Sequence, residues 1–365
     1  MRVSAGWLSL LVLPLMGAQC PKPEPKTDGG VAEEVLLEPP PSGQGFQLTT
    51  PAFDVAAGQE VQDCYFFQIP GEPGSNVNIH KLEVAQNDGS HHMNVFRVRT
   101  VQRNPDGSAR LGPENGAVSQ GLNGMGECFR SSNWADWPLI INSQSGGTVD
   151  WTLPDGVVQR FTPGEWVMLQ THYVNATTQA TSTRGKVYVN FWAVPDSAVV
   201  HEMGTLFATK QSIRVCQANP NPSFDGTCQF NSATPLRVIG ANGHFHSRGR
   251  NFTMYGWDGT STMPAPADQF YVSDTWDDPP MMRSPQLDKE IPANGGIFYT
   301  CGFEWQPPPS SVGCEFLNNR DRGPPHNTPE EDLDCCYTFG GLVESSEHCN
   351  IFVYYYPKVD DVNCF

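Results

Sequence analysis

The chain is poor in positive charge. Its 22 lysines and arginines stand against 39 aspartates and glutamates, for a formal net charge of −17. That balance argues against nucleic acid or an anionic membrane surface as a partner. Beyond the N-terminus there is no apolar run long enough to cross a bilayer as a helix. Sustained helical patterning is missing too, because 35 glycines and 32 prolines punctuate the chain too often for long helices. The 11 cysteines contain no Cys-x-x-Cys pair, which argues against a thiolate zinc site. No Gly-x-Ser-x-Gly, glycine-rich phosphate loop or His-Glu-x-x-His occurs. The nucleophile-elbow hydrolases, P-loop nucleotidases and zincins therefore have no motif to stand on.

What is present begins with an export signal at residues 1–20. Arg2 gives a positive start, residues 7–16 (WLSLLVLPLM) form a short apolar run, and Gly17-Ala18 leads to Cys20. Cys20 stands where a bacterial lipoprotein carries its lipidated cysteine, although Gln19 before it is larger than usual. Two outcomes stay open: a cell-envelope lipoprotein, touching the membrane only through a lipid on Cys20, or a secreted protein. Residues 21–45, rich in Pro, Gly and Glu, read as a tether. The remainder is long enough for two domains, 46–197 and 198–365, with the boundary inside residues 195–212. Setting Cys20 aside leaves an even number of cysteines behind an export signal, which predicts a disulfide framework.

Short runs rich in Val, Ile, Phe, Tyr and Trp recur at 63–69, 92–98, 166–174, 186–194, 251–257, 297–303 and 350–356. With turn residues between them they predict an all-β chain of sandwiches or jelly rolls. The proline-rich stretches 279–285 and 306–311 read as long loops of the second half.

Among the nine histidines, the distribution is informative. His91 and His92 are adjacent at the start of one strand, and His172 lies inside another. The second half holds His244-Phe245-His246 and, later, His348. His244 and His246 are two apart, so on a strand their rings point the same way and can reach one metal. The bland alternative is an exposed polar pair. His91 and His92 diverge in a regular strand, and both reach one ion only where a bulge or strand end re-aims them. Each half thus carries a pair plus a single histidine, an imidazole-only donor set that suits copper or zinc. His80, His201 and His326 read as surface or hydrogen-bonded residues. The glycosylation patterns at Asn175 and Asn251 read as chance behind a bacterial-looking signal.

The segments His91-His92-Met93-Asn94-Val95-Phe96, Leu169-Gln170-Thr171-His172-Tyr173, His244-Phe245-His246-Ser247-Arg248-Gly249-Arg250 and Ser346-Glu347-His348-Cys349-Asn350, with Tyr354-Tyr355-Tyr356-Pro357, form an ordered set. In that order, with Arg283-Ser284-Pro285-Gln286-Leu287 and Cys301 between, they resemble the copper type II, ascorbate-dependent monooxygenases. That family includes the peptidylglycine α-hydroxylating and dopamine β-hydroxylating enzymes. The resemblance runs from about Phe46 to Pro357. It implies two tandem jelly-roll sandwiches facing across a solvent-filled cleft and two copper ions per chain. His91, His92 and His172 would hold the electron-relaying copper; His244, His246 and His348 would hold the one where O2 meets a small organic substrate. Ascorbate or another one-electron reductant would be co-substrate. Gln170 and Asn350 would line the substrate site, and Cys64–Cys128 and Cys301–Cys349 would be disulfides.

Two departures matter. The family places a methionine where this chain has His348, and no methionine follows Met282. A thioether favours Cu(I), whereas imidazole also suits Cu(II). The family's carboxylate-gripping arginine, two residues before the His-x-His, is here Asn242, and a tyrosine two residues after the matching asparagine is Phe352, so peptide amidation is not expected. Other readings are a non-catalytic envelope copper-binding protein, an adhesion sandwich with incidental histidines, and a glycan-processing hydrolase on paired jelly rolls. The last would need a carboxylate pair in the cleft.

Overall fold

The computed structural model describes residues 37–112, 114, 117–119, 128, 137–144, 147–175, 182–310 and 334–364. The expected signal and most of the expected tether, together with Cys20, Cys314 and His326, lie outside the described residues. No described helix is long and apolar enough to cross a membrane. All seven β-rich runs fall in strands: Glu60–Gln68, Ser90–Arg97, Trp166–Val174, Val187–Val194, Gly249–Trp257, Gly296–Phe303 and Asn350–Tyr356. The stretch 279–285, expected as loop, contains a short strand, Met282–Arg283, because its backbone pairs with Gly240 and Ala241.

The strands make two sandwiches. In the first, one sheet runs Gly45–Thr49, Val187–Val194, Val77–Gln86, Val157–Phe161, His201–Glu202, with Gly147–Thr152 also on Val77–Gln86. Its facing sheet runs Ala117–Ser119, Glu60–Gln68, Trp166–Val174, Ser90–Arg97, Leu139–Gln144. Leu82, Val84, Val189 and Phe191 from one side meet Tyr65, Phe67, Met93, Val95 and Leu169 from the other. In the second, Gly204–Thr209, Asn350–Tyr356, Leu236–His244 and Met282–Arg283 form one sheet. Gln269–Ser273, Gly249–Trp257, Gly296–Phe303, Ser223–Phe230 and Val362–Cys364 form the other. Val238, Ala241, Val353 and Tyr355 pack there on Phe252, Met254, Ile297 and Tyr299.

The inner sheet of each sandwich is covered on both faces. Along Asn350–Tyr356, Ile351, Val353 and Tyr355 enter the second core, while Phe352 and Tyr354 join a third cluster with Phe96, Met168, Leu139, Trp151 and Ile239. Side chains alternate along a strand, so a strand buried on both faces must read as a continuous apolar run. That is why 350–356 contains so little polarity. Each large side chain removed from water contributes about 1.5–3 kcal/mol.

Hydrogen bonds fix the register of this boundary. The Asn142 side-chain N–H donates to Asn242 Oδ1 at 3.1 Å, and the Tyr354 hydroxyl donates to Asn142 Oδ1 at 2.8 Å. The Trp151 indole N–H donates to Ser284 Oγ at 3.2 Å. Disulfides join Cys64–Cys128, Cys216–Cys336, Cys228–Cys364 and Cys301–Cys349, with Cα separations of 5.8, 4.1, 4.0 and 6.0 Å. Cys335 is disulfide-bonded as well. The pairings Cys64–Cys128 and Cys301–Cys349 are the two that the resemblance implies.

Tyr354→Phe should strip the fully buried Asn142 Oδ1 of its hydroxyl donor. We expect a loss of about 1–3 kcal/mol of unfolding free energy, read from the urea midpoint. An unchanged midpoint would show that the boundary is held by apolar packing alone.

Candidate metal centre

His92 and His172 are direct partners across neighbouring antiparallel strands. They share strand parity with Phe96 and Met168, so both rings face the second sandwich. The ring centroids are 4.8 Å apart, and His92 Nε2 lies 3.1 Å from His172 Nδ1. In a regular strand His91 would point the other way. The ladder slips here: His172 pairs with His92, but Tyr173 pairs with Ser90, leaving His91 unopposed. It is the extra residue of a β-bulge, and the bulge turns its ring into the same cluster. His91 lies 5.1 Å from His92 and 5.0 Å from His172, centroid to centroid. Gly89, at φ 90°, is the turn residue just before the strand; a Cβ there would meet Thr183 Cγ2 at 2.9 Å.

In the second sandwich His244 ends its strand opposite Asn350, Phe245 enters the core, and His246 follows on the side of His244. His246 Nδ1 lies 3.0 Å from the Ser346 carbonyl. A carbonyl can only accept, so Nδ1 carries the proton and Nε2 keeps its lone pair. The buried Glu347 carboxylate accepts the backbone N–H groups of His246 and Arg248, each at 3.0 Å. Burial pushes Glu347 up to about 8. The Arg248 guanidinium donates to the Val343 and Glu344 carbonyls at 2.7 Å and lies 3.9 Å from the Tyr337 ring centroid. This clasp binds the turn after the His-x-His to the segment carrying His348. The His348 ring is 4.3 Å from His246, 5.4 Å from His244 and 5.0 Å from Phe339.

The two sets meet. His244 is 5.4 Å from His91 and 5.3 Å from His92. Six imidazoles from two sandwiches therefore form one continuous cluster. Two triads hold their ligand nitrogens within 4.8 Å of one another: His91, His92 and His172, and His91, His244 and His246. Among the described residues no triad at that spacing includes His348; His91 takes the third place. Cys216, Asp334 and Cys336 also converge, but Cys216 and Cys336 are spent on a disulfide.

Only 8% of His91, 0% of His172, 2% of His244 and 1% of His246 is exposed, while His92 and His348 keep partial contact with solvent. Burial, followed by the neighbouring rings, pushes His91 and His348 down to about 3. The same causes hold His92, His244 and His246 well below the ordinary imidazole value. Neutral imidazole is the form that binds metal. His91 Nε2, both ring nitrogens of His244 and His348 Nδ1 are buried without a hydrogen-bond partner. An unmet buried polar atom costs about 1–3 kcal/mol, and a metal ion at the centre would remove several such penalties at once. The residues present therefore fit an imidazole-bound metal, with copper or zinc the natural ions for the donor set.

One contributor escaped the sequence reading. Glu60 Oε1 lies 2.6 Å from His172 Nε2. A carboxylate there fixes the tautomer and leaves Nδ1 facing His92. Nothing in local spacing marks Glu60; its place follows from the register that sets Gln62 opposite His172. Of the two residues assigned to substrate, Gln170 accepts a hydrogen bond from Asn94 at 3.1 Å, and Asn350 has a buried Oδ1 without a partner. Of the histidines set aside, His80 Nδ1 lies 3.1 Å from the Trp192 carbonyl and His201 is exposed beside Tyr356.

No family model and no curated protein matches the sequence. Among solved structures, the chain is similar at 11% identity to PNGase F, a glycosylasparaginase from Flavobacterium meningosepticum, over 86% of this chain and 99% of that one, with a TM-score of 0.28. A structure of recombinant N-glycanase F (PNGase F) gives 10% identity over 86% and 98%, with a TM-score of 0.27. Likeness at that level carries no argument about this chain.

Glu60→Gln keeps the shape but removes the charge that orients His172. Copper affinity at the first triad should fall about 10–100-fold, measured by competition with a chelator of known strength. Unaltered affinity would exclude an orienting role for Glu60.

Proposed function

We propose that the chain is an exported copper-dependent monooxygenase that hydroxylates a C–H bond of a small organic substrate with O2 and a reductant such as ascorbate. The observation that carries this reading is the convergence of a histidine pair and a later histidine from each sandwich on one buried centre, in the order the monooxygenases use. His91, His92 and His172 would hold the electron-relaying copper. His244 and His246, with His348 beside them, would hold the copper at which the substrate is oxidised. Copper, when bound, supplies one-electron cycling between Cu(II) and Cu(I) and activation of O2.

The chain's own groups do the rest. Glu60 and the Ser346 carbonyl fix the tautomers of His172 and His246, so His172 turns Nδ1 toward His92 and Gln62 while His246 keeps its Nε2 lone pair. Burial keeps the His91, His92, His244, His246 and His348 rings neutral and limits water around the reacting groups. Gln170 and Asn350 supply amides beside the histidines. Asn242 is already committed: its N–H donates to the Pro280 carbonyl at 3.1 Å and its oxygen accepts from Asn142. Neither it nor Phe352 offers a cation for a carboxylate, so the preferred substrate has no carboxylate to be gripped there.

A second reading, a non-catalytic copper-binding protein, draws on the near-complete burial of four of the rings and on His348 in place of a thioether. Oxygen uptake with ascorbate against a panel of small C–H substrates, with copper content measured on the same sample, separates the two. The enzyme should show substrate-dependent uptake, and His244→Ala should abolish it while copper remains at His91, His92 and His172. Full loading with no substrate-dependent uptake across the panel would favour the binding protein. His348→Met should raise the reduction potential of the second copper, because a thioether stabilises Cu(I) better than imidazole does. A potentiometric titration that finds no rise would remove His348 from the ligand set.

A further inference from the structure

We infer that a second cavity at the boundary, away from the histidines, binds a small organic carboxylate gripped by Arg97 and Arg99. The inference goes beyond the copper reading and does not depend on it. The cavity has a volume of about 360 Å³, within the range of small-molecule sites, and both sandwiches line it. Arg97, Arg99 and Arg160 come from the first, and Leu206, Phe207 and Lys358 from the second. Arg97 lies five residues along its strand from His92, about 17 Å at the rise of a β-strand. Phe96, part of the apolar boundary layer, stands between them.

The sequence places two guanidinium groups side by side. Arg97 ends the strand Ser90–Arg97, Arg99 follows two residues later, and both line the cavity. Arg97 is held in place. Its Nε donates to Glu165 at 2.8 Å, one terminal nitrogen donates to the Arg160 carbonyl, and its guanidinium carbon lies 4.4 Å from the Phe161 ring centroid. Among the described residues its other terminal nitrogen makes no hydrogen bond, and Arg99 makes neither a hydrogen bond nor an ion pair. Burial, with the Arg99 charge adding to it, pulls Arg97 below the ordinary guanidinium value, against the pull of Glu165. A carboxylate bound between the two relieves their repulsion and accepts from both forks. Since Arg97 is already positioned, little ordering is left to oppose binding.

The rest of the lining narrows the ligand. Lys358 donates to Glu202, and Arg160 Nε donates to Asn78 Oδ1 at 3.0 Å, so neither head is free for an anion as Arg99 is. The Glu202 and Asp360 carboxylates, also in the wall, oppose a doubly charged head, which favours a carboxylate over a phosphate. Leu206, Phe207 and Val359 suit an apolar body behind that head. A ligand so seated touches both sandwiches and holds them together.

The test titrates the metal-free whole protein calorimetrically with three probes of one shape: 1-naphthoate, 1-naphthyl phosphate and the uncharged 1-naphthol. Naphthoate should bind at one per chain, more weakly as salt is added, and should raise the melting temperature. Naphthol should bind about tenfold more weakly or worse, as loss of a charged hydrogen bond requires. Arg99→Gln should weaken naphthoate by a similar factor with an unchanged circular dichroism spectrum, since Arg99 is exposed and supports no other group. Arg97→Lys, which keeps the charge and loses the fork, should weaken it too; if that variant fails to fold, Arg99→Gln decides. Absence of naphthoate binding would overturn the site, as would naphthol binding equally well or Arg99→Gln binding as tightly as the unaltered protein. Tighter binding of naphthyl phosphate than of naphthoate would overturn the carboxylate assignment.

Discussion

An imidazole removed from water needs a partner at each ring nitrogen, one to take its proton and one to fill its lone pair. Six of them gathered at the meeting of two sandwiches cannot satisfy one another, because neutral rings offer too few well-placed pairs. The structure meets part of the demand from outside the cluster, with Glu60 on His172, the Ser346 carbonyl on His246 and Asn94 beside His92. What remains unmet, at His91, His244 and His348, is buried. Such a concentration of unmet polar atoms is destabilising in the free protein and is relieved by any ion that bonds the nitrogens. Binding then acts as a folding term, and the ion stabilises the native state by mass action.

Holding that arrangement shut falls to groups away from the histidines. The doubly covered strands supply an apolar layer, and the Asn142–Asn242–Tyr354 hydrogen bonds set its register. Both devices come from the same alternation: along Asn350–Tyr356 one parity builds the core of the second sandwich and the other builds the boundary. The strand Ser90–Arg97 does likewise, with Met93 and Val95 inward and His92, Asn94 and Phe96 outward. A polar ladder of His92, Asn94, Gln170 and His172 thus lies on the face that Phe96 and Met168 continue as an apolar one. The clustered histidines and the boundary packing are successive positions on the same strands.

The fold was largely legible because short β-rich runs between turns admit few other architectures, and every such run lies in a strand. That His244 and His246 share one face was legible from period-two geometry, but that spacing alone did not mark them as a metal pair. His91 and His92 were not, since adjacency argues against a shared metal until a bulge is granted, and a bulge has no sequence signature here beyond Gly89. Their grouping with His172 needed the order of motifs in addition to their spacing. Glu60 and the Ser346 carbonyl could not be read at all. The first depends on the register between Glu60–Gln68 and Trp166–Val174, the second on a backbone atom that carries no residue identity. The convergence of the two sets was also invisible, because nothing local in either half records the distance to the other.

The absent thioether gains a physical setting from that convergence. In a site standing alone, His348 would be the third donor and its hardness would decide the copper's redox preference. Here the converging triad is completed by His91, whose ring is 6.3 Å from His246, while His348 lies 4.3 Å from His246 and 5.0 Å from Phe339 at the partly exposed edge of the cluster. A residue in that position can bond the ion or withdraw from it without disturbing the buried core, because the Glu347–Arg248 clasp and the Cys301–Cys349 disulfide hold its backbone independently of the ring.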